Sequence, residues 1–303
     1  MISKLVGEFP RPRTIVALNA GSWAILSAFW IYRAWTAADF AAWFSVTAVG
    51  VAGILFLAVL SSPPGWLFGT RVVIALRCAV IVALLASAIR FRSVEHIGDL
   101  AGPVAVTVFC SALVSTAWLL FRSSGKAQLD LRSPVAAELI VVQGGRFGNH
   151  HKPSAEQRWA ADLLALGPGG RRASRIVATE AQQCVIYGMD VHAPCDGVVV
   201  ECGDGRPDNL DLDAPPAFSD ARGNFVSIRT GDDVTVLLAH LQRDSVAVQV
   251  GDRVVAGQLI GRCGNSGRTT EPHVHLHCEV DGTGVPFTVD GQKMFRGARL
   301  HRR

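Results

Sequence analysis

Apolar and polar positions divide the chain near residue 122. Before that point lie four long apolar runs, at residues 14–31, 41–60, 72–89 and 104–120. Each approaches the about 20 residues that a helix needs to cross a bilayer, and none carries the polar stripe at helical spacing that a soluble bundle would show. After it the runs are short and are punctuated by Gly and Asp, predicting strands at residues 138–143, 197–201, 225–229, 234–240, 246–250 and 258–261. Short strands with frequent turn residues argue for antiparallel sheet. The pattern therefore predicts an N-terminal α-helical membrane bundle of about four transmembrane helices over residues 1–122 and a C-terminal all-β domain over 135–303. Residues 123–134, opening with Ser123-Ser124-Gly125-Lys126, read as a linker.

Details of the first half sharpen the membrane reading. Trp23, Trp30, Trp35, Trp43, Trp66 and Trp118 lie in or near the runs, several close to an end, where an indole can sit among lipid headgroups. Ser62-Pro63-Pro64-Gly65 separates the second run from the third. The first run is too long, and too closely followed by others, for a cleaved signal peptide. Arg77 lies inside the third run, about a turn and a half from its start, where its side chain can snorkel to the interface or face a partner within the bundle. No other charge falls inside the runs, so neither an ion path nor a proton relay is expected. The bundle reads as an anchor in the lipid bilayer, with any membrane partner unknown. If all four runs span, Lys4, Arg11, Arg13, Arg71, Arg122, Lys126 and Arg132 fall on one side and Arg33, Arg90 and Arg92 on the other. The positive-inside rule then places both termini in the cytoplasm.

Composition adds little. A formal charge of +4 over 303 residues is spread along the chain, so no nucleic-acid surface is expected. The seven cysteines form no C-x-x-C pair and no regular framework, which leaves either redox compartment open. Asp208, Asp211 and Asp213, in an insertion at 204–222, lack the spacing and glycine of a calcium loop and read as solvated.

The candidate chemistry gathers at Glu271-Pro272-His273-Val274-His275-Leu276-His277-Cys278-Glu279-Val280. Side chains two apart on a strand share a face, so His273, His275 and His277 point one way while Val274, Leu276 and Cys278 point into a core. Neutral imidazoles on a strand suit a metal, and zinc accepts His together with Asp in sites that keep one position for water. The plain alternative is a half-exposed strand with histidines on its wet face.

The wider set of motifs bears on that choice. Leu238-Ala239-His240-Leu241, Val250-Gly251-Asp252-Arg253-Val254, Gly257-Gln258, Gly264-Asn265-Ser266-Gly267 and Pro272-His273-Val274-His275 follow one another in an order and spacing that resemble the lysostaphin/LytM-type zinc endopeptidases. The resemblance covers roughly residues 138–288 and is silent on the membrane part. It implies an antiparallel LytM-type peptidase fold, with His275 binding zinc and His240 and His273 acting in catalysis. The family's other ligands are an upstream His and Asp, in many members four residues apart. Here Arg158 stands four before Asp162. A variant of the family has N-x-H before Q-R-aromatic-A-x-D, which matches Asn149-His150-His151 and Gln157-Arg158-Trp159-Ala160-Ala161-Asp162. That match points to His151 and Asp162 as ligands, with His150 the alternative to His151.

The chemistry is coherent without the family. Two imidazoles and a carboxylate on zinc leave an open position where water ionises near neutral pH. No H-E-x-x-H glutamate is present, so histidines must move the proton, and His240 and His273 are the candidates. Asn224 reads as shaping a hairpin, and His277 as a ligand's neighbour or a groove residue more readily than a ligand. Cys263 and Cys278 read as small buried residues, with a thiolate ligand the alternative; Cys184, Cys195 and Cys202 read as structural.

The expected activity is therefore that of a membrane-anchored zinc metalloendopeptidase cutting peptide bonds in bacterial cell-wall peptidoglycan, as the resemblance implies. That substrate places the peptidase domain on the extracytoplasmic side of the cell membrane, against the charge bias. Two other readings stand beside it: a LytM-like module that binds or regulates without catalysis, and a metallohydrolase acting on a cytoplasmic peptide.

Overall fold

The computed structural model describes residues 12–59, 65–91, 100–122, 125–146, 149–214 and 220–301. Lys4, Arg11, Arg92, Ser62-Pro63-Pro64, Ser123-Ser124 and part of the 204–222 insertion lie outside the described residues. The chain forms two compact units, one over Arg13–Leu120 and one built mainly from Phe121–Arg303.

The first unit is helical, with α1 (Pro12–Trp35), α2 (Phe40–Val59), the single turn α3 (Gly65–Phe68), α4 (Thr70–Ala86, continued as a 3-10 turn over Ser87–Phe91) and α5 (Ala101–Phe121). Among the described residues three segments, Phe40–Val59, Thr70–Phe91 and Ala101–Leu120, are long and apolar enough to cross a membrane. Their large apolar side chains face outward: Val82 and Phe109 are each 63% exposed, and Ile25 of α1 is 71% exposed. A surface of that kind would be costly in water and is at home in lipid. Inside, Ala34, Trp43, Ile54, Val80 and Leu84 pack together. Trp43 is buried among them, its indole N–H donating to Ser87 Oγ at 2.7 Å.

Among the described residues the second unit holds fourteen strands: β1 (Leu129–Leu131), β2 (Leu139–Gln143), β3 (Ala161–Ala165), β4 (Asp190–His192), β5 (Gly197–Gly203), β6 (Asn224–Arg229), β7 (Thr235–Leu241), β8 (Arg253–Val254), β9 (Leu259–Arg262), β10 (Val274–Val280), β11 (Thr283–Gly284), β12 (Phe287–Val289), β13 (Gln292–Lys293) and β14 (Arg299–Leu300). Eight run in one sheet in the order β14-β2-β3-β10-β7-β6-β5-β8, and β11 adds to β10. Every pairing in that sheet is antiparallel. Leu139, Leu163, Ile228, Leu238, Leu241, Ile260, Val274 and Leu276 fill the core against one of its faces.

Three local differences from the sequence reading have physical reasons. β1 falls within the expected linker: it pairs in parallel with β12, and Leu131 is buried. Residues 246–250 are not a strand. Ala247 N–H donates to Ile260 C=O, but Val250 is exposed and the Asp252 carboxylate accepts the Gln249 N–H, closing a turn. β3 was not expected, because Ala161-Asp162-Leu163-Leu164-Ala165 does not alternate; all five residues are buried, as a strand in mid-sheet requires.

Candidate metal centre

The site is built around β10, which lies between β3 and β7. His275 stands opposite Asp162 on one side and opposite Ala239 on the other. The pleat then sorts the strand: Val274, Leu276 and Cys278 enter the core, while His275 and His277 take the other face. That second face is not wet, since both histidines are 4% exposed. A half-exposed strand with solvated histidines is therefore not what the chain forms.

Asp162 is the hub. Its Oδ1 lies 3.0 Å from His275 Nδ1 and 3.5 Å from His273 Nε2, and its Oδ2 lies 3.0 Å from His151 Nε2. His151 reaches it from a turn held by Asn149, whose Oδ1 accepts the His151 N–H and whose Nδ2 donates to Ala160 C=O just ahead of β3. His150 is further out: its side chain is 61% exposed and its Nε2 is 3.9 Å from Asp162 Oδ2. Both neighbours remain within ligand range, for atoms of His150, His151 and Asp162 lie within 4.8 Å of one another.

His240 arrives by a different route. On β7, Ala239 shares the face of His275, so regular alternation would send His240 into the core. The pairing with β6 skips it: Asn224 stands opposite Leu241 and Phe225 opposite Ala239. His240 is thus the extra residue of a β-bulge, with φ of +64°. The bulge re-aims its ring, which lies 4.7 Å from that of His273 and 5.9 Å from that of His275, centroid to centroid. A left-handed non-glycine residue of this kind costs about 1–3 kcal/mol and needs strong local support. Buried Asn224 supplies it, donating through Nδ2 to the carbonyls of Leu241 and Arg206 and accepting the Arg206 N–H. Ser266 Oγ donates to Leu241 C=O and accepts the Asn224 N–H. Gly223 and Gly267 lie so close that a Cβ on either would strike the backbone beside the other, which brings the 264–267 loop up to β6.

Both of these histidines are oriented by carbonyls. His240 Nδ1–H donates to Ser266 C=O at 2.9 Å, and His273 Nδ1–H to Glu271 C=O at 2.8 Å, with Thr269 Oγ1 also 3.1 Å from His273 Nδ1. Each ring therefore keeps Nε2 for the site. Ser266, Thr269 and the bulge escape sequence reasoning because they act through contacts distant in the chain; Asn149 and Asn224 are visible in it only as turn formers.

Electrostatics separates the residues. Burial opposes ionisation of Asp162, but the charge of His273 and hydrogen bonds from His151, His273 and His275 hold its carboxyl well below the usual range. Burial, with His273 and His275 nearby, pushes His240 well down. Burial also lowers His275, and lowers His277 to about 3 with help from His275, His151 and Arg222. For His273 burial is outweighed by the charge and hydrogen bond of Asp162, so its pKa rises. At neutral pH His275 is thus a neutral ring with Nδ1 against an ionised carboxylate, and His151 stands on the other oxygen. Two imidazoles and a carboxylate converging in this way fit a divalent metal that prefers N and O donors. Cys263 and Cys278 do not join them: burial first, and neighbouring negative groups after it, raise both thiols well above their ordinary range, and both sit in the core.

Residues 183–287 match the model of Peptidase family M23. The chain carries an M23 domain. The match includes His240, His273 and His275; His151 and Asp162 lie upstream of it. Two curated relatives are peptidoglycan DD-endopeptidases of Vibrio cholerae. ShyC is 35% identical over 95 residues, covering 31% of this chain and 20% of the relative. ShyA is 40% identical over 63 residues, covering 21% and 14%. The chain thus spans a fifth or less of the length of either. The catalytic domain of lysostaphin from Staphylococcus simulans is 25% identical with a TM-score of 0.25, covering 36% of this chain and 80% of that one.

Proposed function

We propose that the chain is a membrane-anchored zinc metalloendopeptidase that hydrolyses peptide bonds of cell-wall peptidoglycan. One observation carries the chemistry: the two oxygens of buried Asp162 meet His275 Nδ1 and His151 Nε2, with the His240–His273 pair alongside. The M23 match supports peptidase activity, and the relatives named as peptidoglycan endopeptidases support the substrate class.

In this reading His151, Asp162 and His275 hold zinc. When bound, zinc supplies a Lewis acid for the peptide carbonyl and brings the pKa of water toward neutrality. The protein's own groups do the rest. His240 and His273 present Nε2 with Nδ1–H already committed to a carbonyl, the tautomer a proton acceptor needs. One of the pair accepts the proton of the attacking water at Nε2; the other, in its imidazolium form, donates Nε2–H to the oxygen that gains charge, or to the leaving amine. Burial of the face limits competing water. We place the domain boundaries at residues 122 and 135; among the described residues of the linker, strand β1 pairs with β12.

The substrate requires the β unit outside the cytoplasm. If all four long helices cross, the charges oppose that side. If only the three segments long and apolar enough to span cross, Lys4, Arg11, Arg13, Arg33, Arg90 and Arg92 share one side. Arg71, Arg122, Lys126 and Arg132 then share the other, and the bias turns to favour an external β unit. C-terminal reporters active only inside or only outside the cytoplasm decide this, and activity of the inside reporter alone would remove the cell-wall substrate. For the chemistry, His275→Ala is expected to abolish zinc binding and hydrolysis of purified peptidoglycan together. Wild-type turnover in that variant would overturn the assignment.

A further inference from the structure

His275 has two ring nitrogens, and the metal reading uses only one. Nδ1 faces Asp162 Oδ1; Nε2 lies 2.9 Å from Nδ1 of His277. The two rings stand on one face of β10, 5.2 Å apart between centroids and at 76°, so that an edge of one meets the other. Both are 4% exposed, which leaves little water to substitute for the contact.

Resting on the metallopeptidase reading, we propose that His277 is a positioning residue for His275, accepting its Nε2–H and thereby presenting the Nδ1 lone pair to the metal. The tautomers dictate this. A ligand nitrogen must be free of hydrogen, so a metal at Nδ1 requires the His275 proton on Nε2. There it needs an acceptor, and His277 Nδ1 is placed to serve if His277 carries its own proton on Nε2. In the opposite arrangement His277 Nδ1–H donates to His275 Nε2, and the His275 Nδ1–H points at Asp162 where the metal belongs. Metal binding therefore selects one of two hydrogen-bond directions along the pair, with no change in net protonation. Ligating histidines are generally fixed through their second nitrogen, often by a carboxylate or carbonyl. Here the acceptor is a neutral imidazole, anchored in the strand that carries the ligand itself, so ring and ligand keep a fixed register.

The test uses the full-length chain in detergent, with zinc affinity measured by chelator competition and Co²⁺ absorption reporting coordination. His277→Leu fills the space without an acceptor, and His277→Gln restores an acceptor oxygen. The expected result is a zinc Kd weakened about 10–100-fold in H277L and largely recovered in H277Q. Melting of the chelator-treated protein should be unchanged in both, and the Co²⁺ spectrum should keep its shape. Should H277L fail to fold, His277→Asn, whose amide falls short, takes its place against H277Q. An unaltered zinc Kd in the acceptor-free variant would overturn the proposal. So would loss of zinc in both variants to the extent seen in His275→Ala, since His277 would then be a ligand. A wild-type chain that binds no zinc would instead overturn the metal reading, and this inference with it.

Discussion

The helical unit turns Ile25, Val82 and Phe109 outward, and among the described residues its buried polar ones are Ser27, Thr47 and Ser87. The β unit buries Asn149, Asp162, Asn224, His240, Asn265, Ser266, His275 and His277. In the first, Ser87 pairs with the Trp43 indole and with Leu84 C=O, while Thr47 Oγ1 has no hydrogen-bond partner. In the second, the buried polar groups form connected sets: one centred on Asp162, and one that runs from Asn224 through Ser266 to His240. Burying so many polar groups in contact is costly unless each is satisfied. The contrast teaches that the first unit is organised to stay in place and the second to hold reactive side chains in strained, dehydrated positions.

The sharpest way to break that contrast is His240→Ala. It should lower kcat by about 10²–10⁴-fold, the usual range for a lost acid–base group, while leaving zinc affinity near wild type; kinetics and chelator competition on one preparation check both. Zinc lost with activity would make His240 part of the metal set.

Acidification of the zinc-free protein comes next. His240, His275 and His277 have folded pKa values below the ordinary 6.5, that of His277 at about 3. Their stability is complete above pH 6.5 and is lost as pH falls toward those values. His273, raised, acts oppositely: its contribution is present below 6.5 and is lost as pH rises through its folded pKa. With His150, lowered to about 4 mainly by burial, four groups stand against one and give a net loss of melting temperature between pH 7 and 5. Asp162, held low, adds its own loss only below about 3.8. A β unit that melts at constant temperature across that range would contradict the dehydrated arrangement.

Asn224→Ala removes several buried bonds at the bulge. Unsatisfied groups at about 1–3 kcal/mol each suggest a loss of about 2–4 kcal/mol, with kcat falling and zinc affinity little changed, read by denaturant unfolding and kinetics. The mildest change is Ser87→Ala, which strands the Trp43 indole N–H in the helical unit. It should cost about 1–2 kcal/mol and leave peptidoglycan hydrolysis of the folded protein unaltered.

Legibility in the sequence followed the range of the interaction. Strand β10 could be read from its alternation, and the helices from their apolar length, because neighbours along the chain decide both. β3 could not: five consecutive buried positions give no alternation, and Asp162 looks out of place until β10 lies beside it. The same holds for Trp43, whose partner is 44 residues away. His240 was identifiable as a residue but not as a bulge, since its orientation depends on how β6 and β7 fall out of register. The valines at 246–250 misled in the other direction, alternating correctly where the backbone makes a single bond to β9, from Ala247 N–H to Ile260 C=O, and then turns.

Asp162 and His275 are 113 residues apart in sequence and face each other across adjacent strands. A ligand gripping both would close a loop nearly as long as a small domain. For an about 100-residue loop, a cross-link removes unfolded-chain entropy equivalent to about 4–5 kcal/mol in the simplest model. All seven cysteines are free, so no thiol bridge does that job. Zinc in this cleft would then be a clasp as well as a reagent: a chelator would loosen the domain's attachment to its own folded state while disarming it, and resistance to unfolding would rise and fall with metal supply.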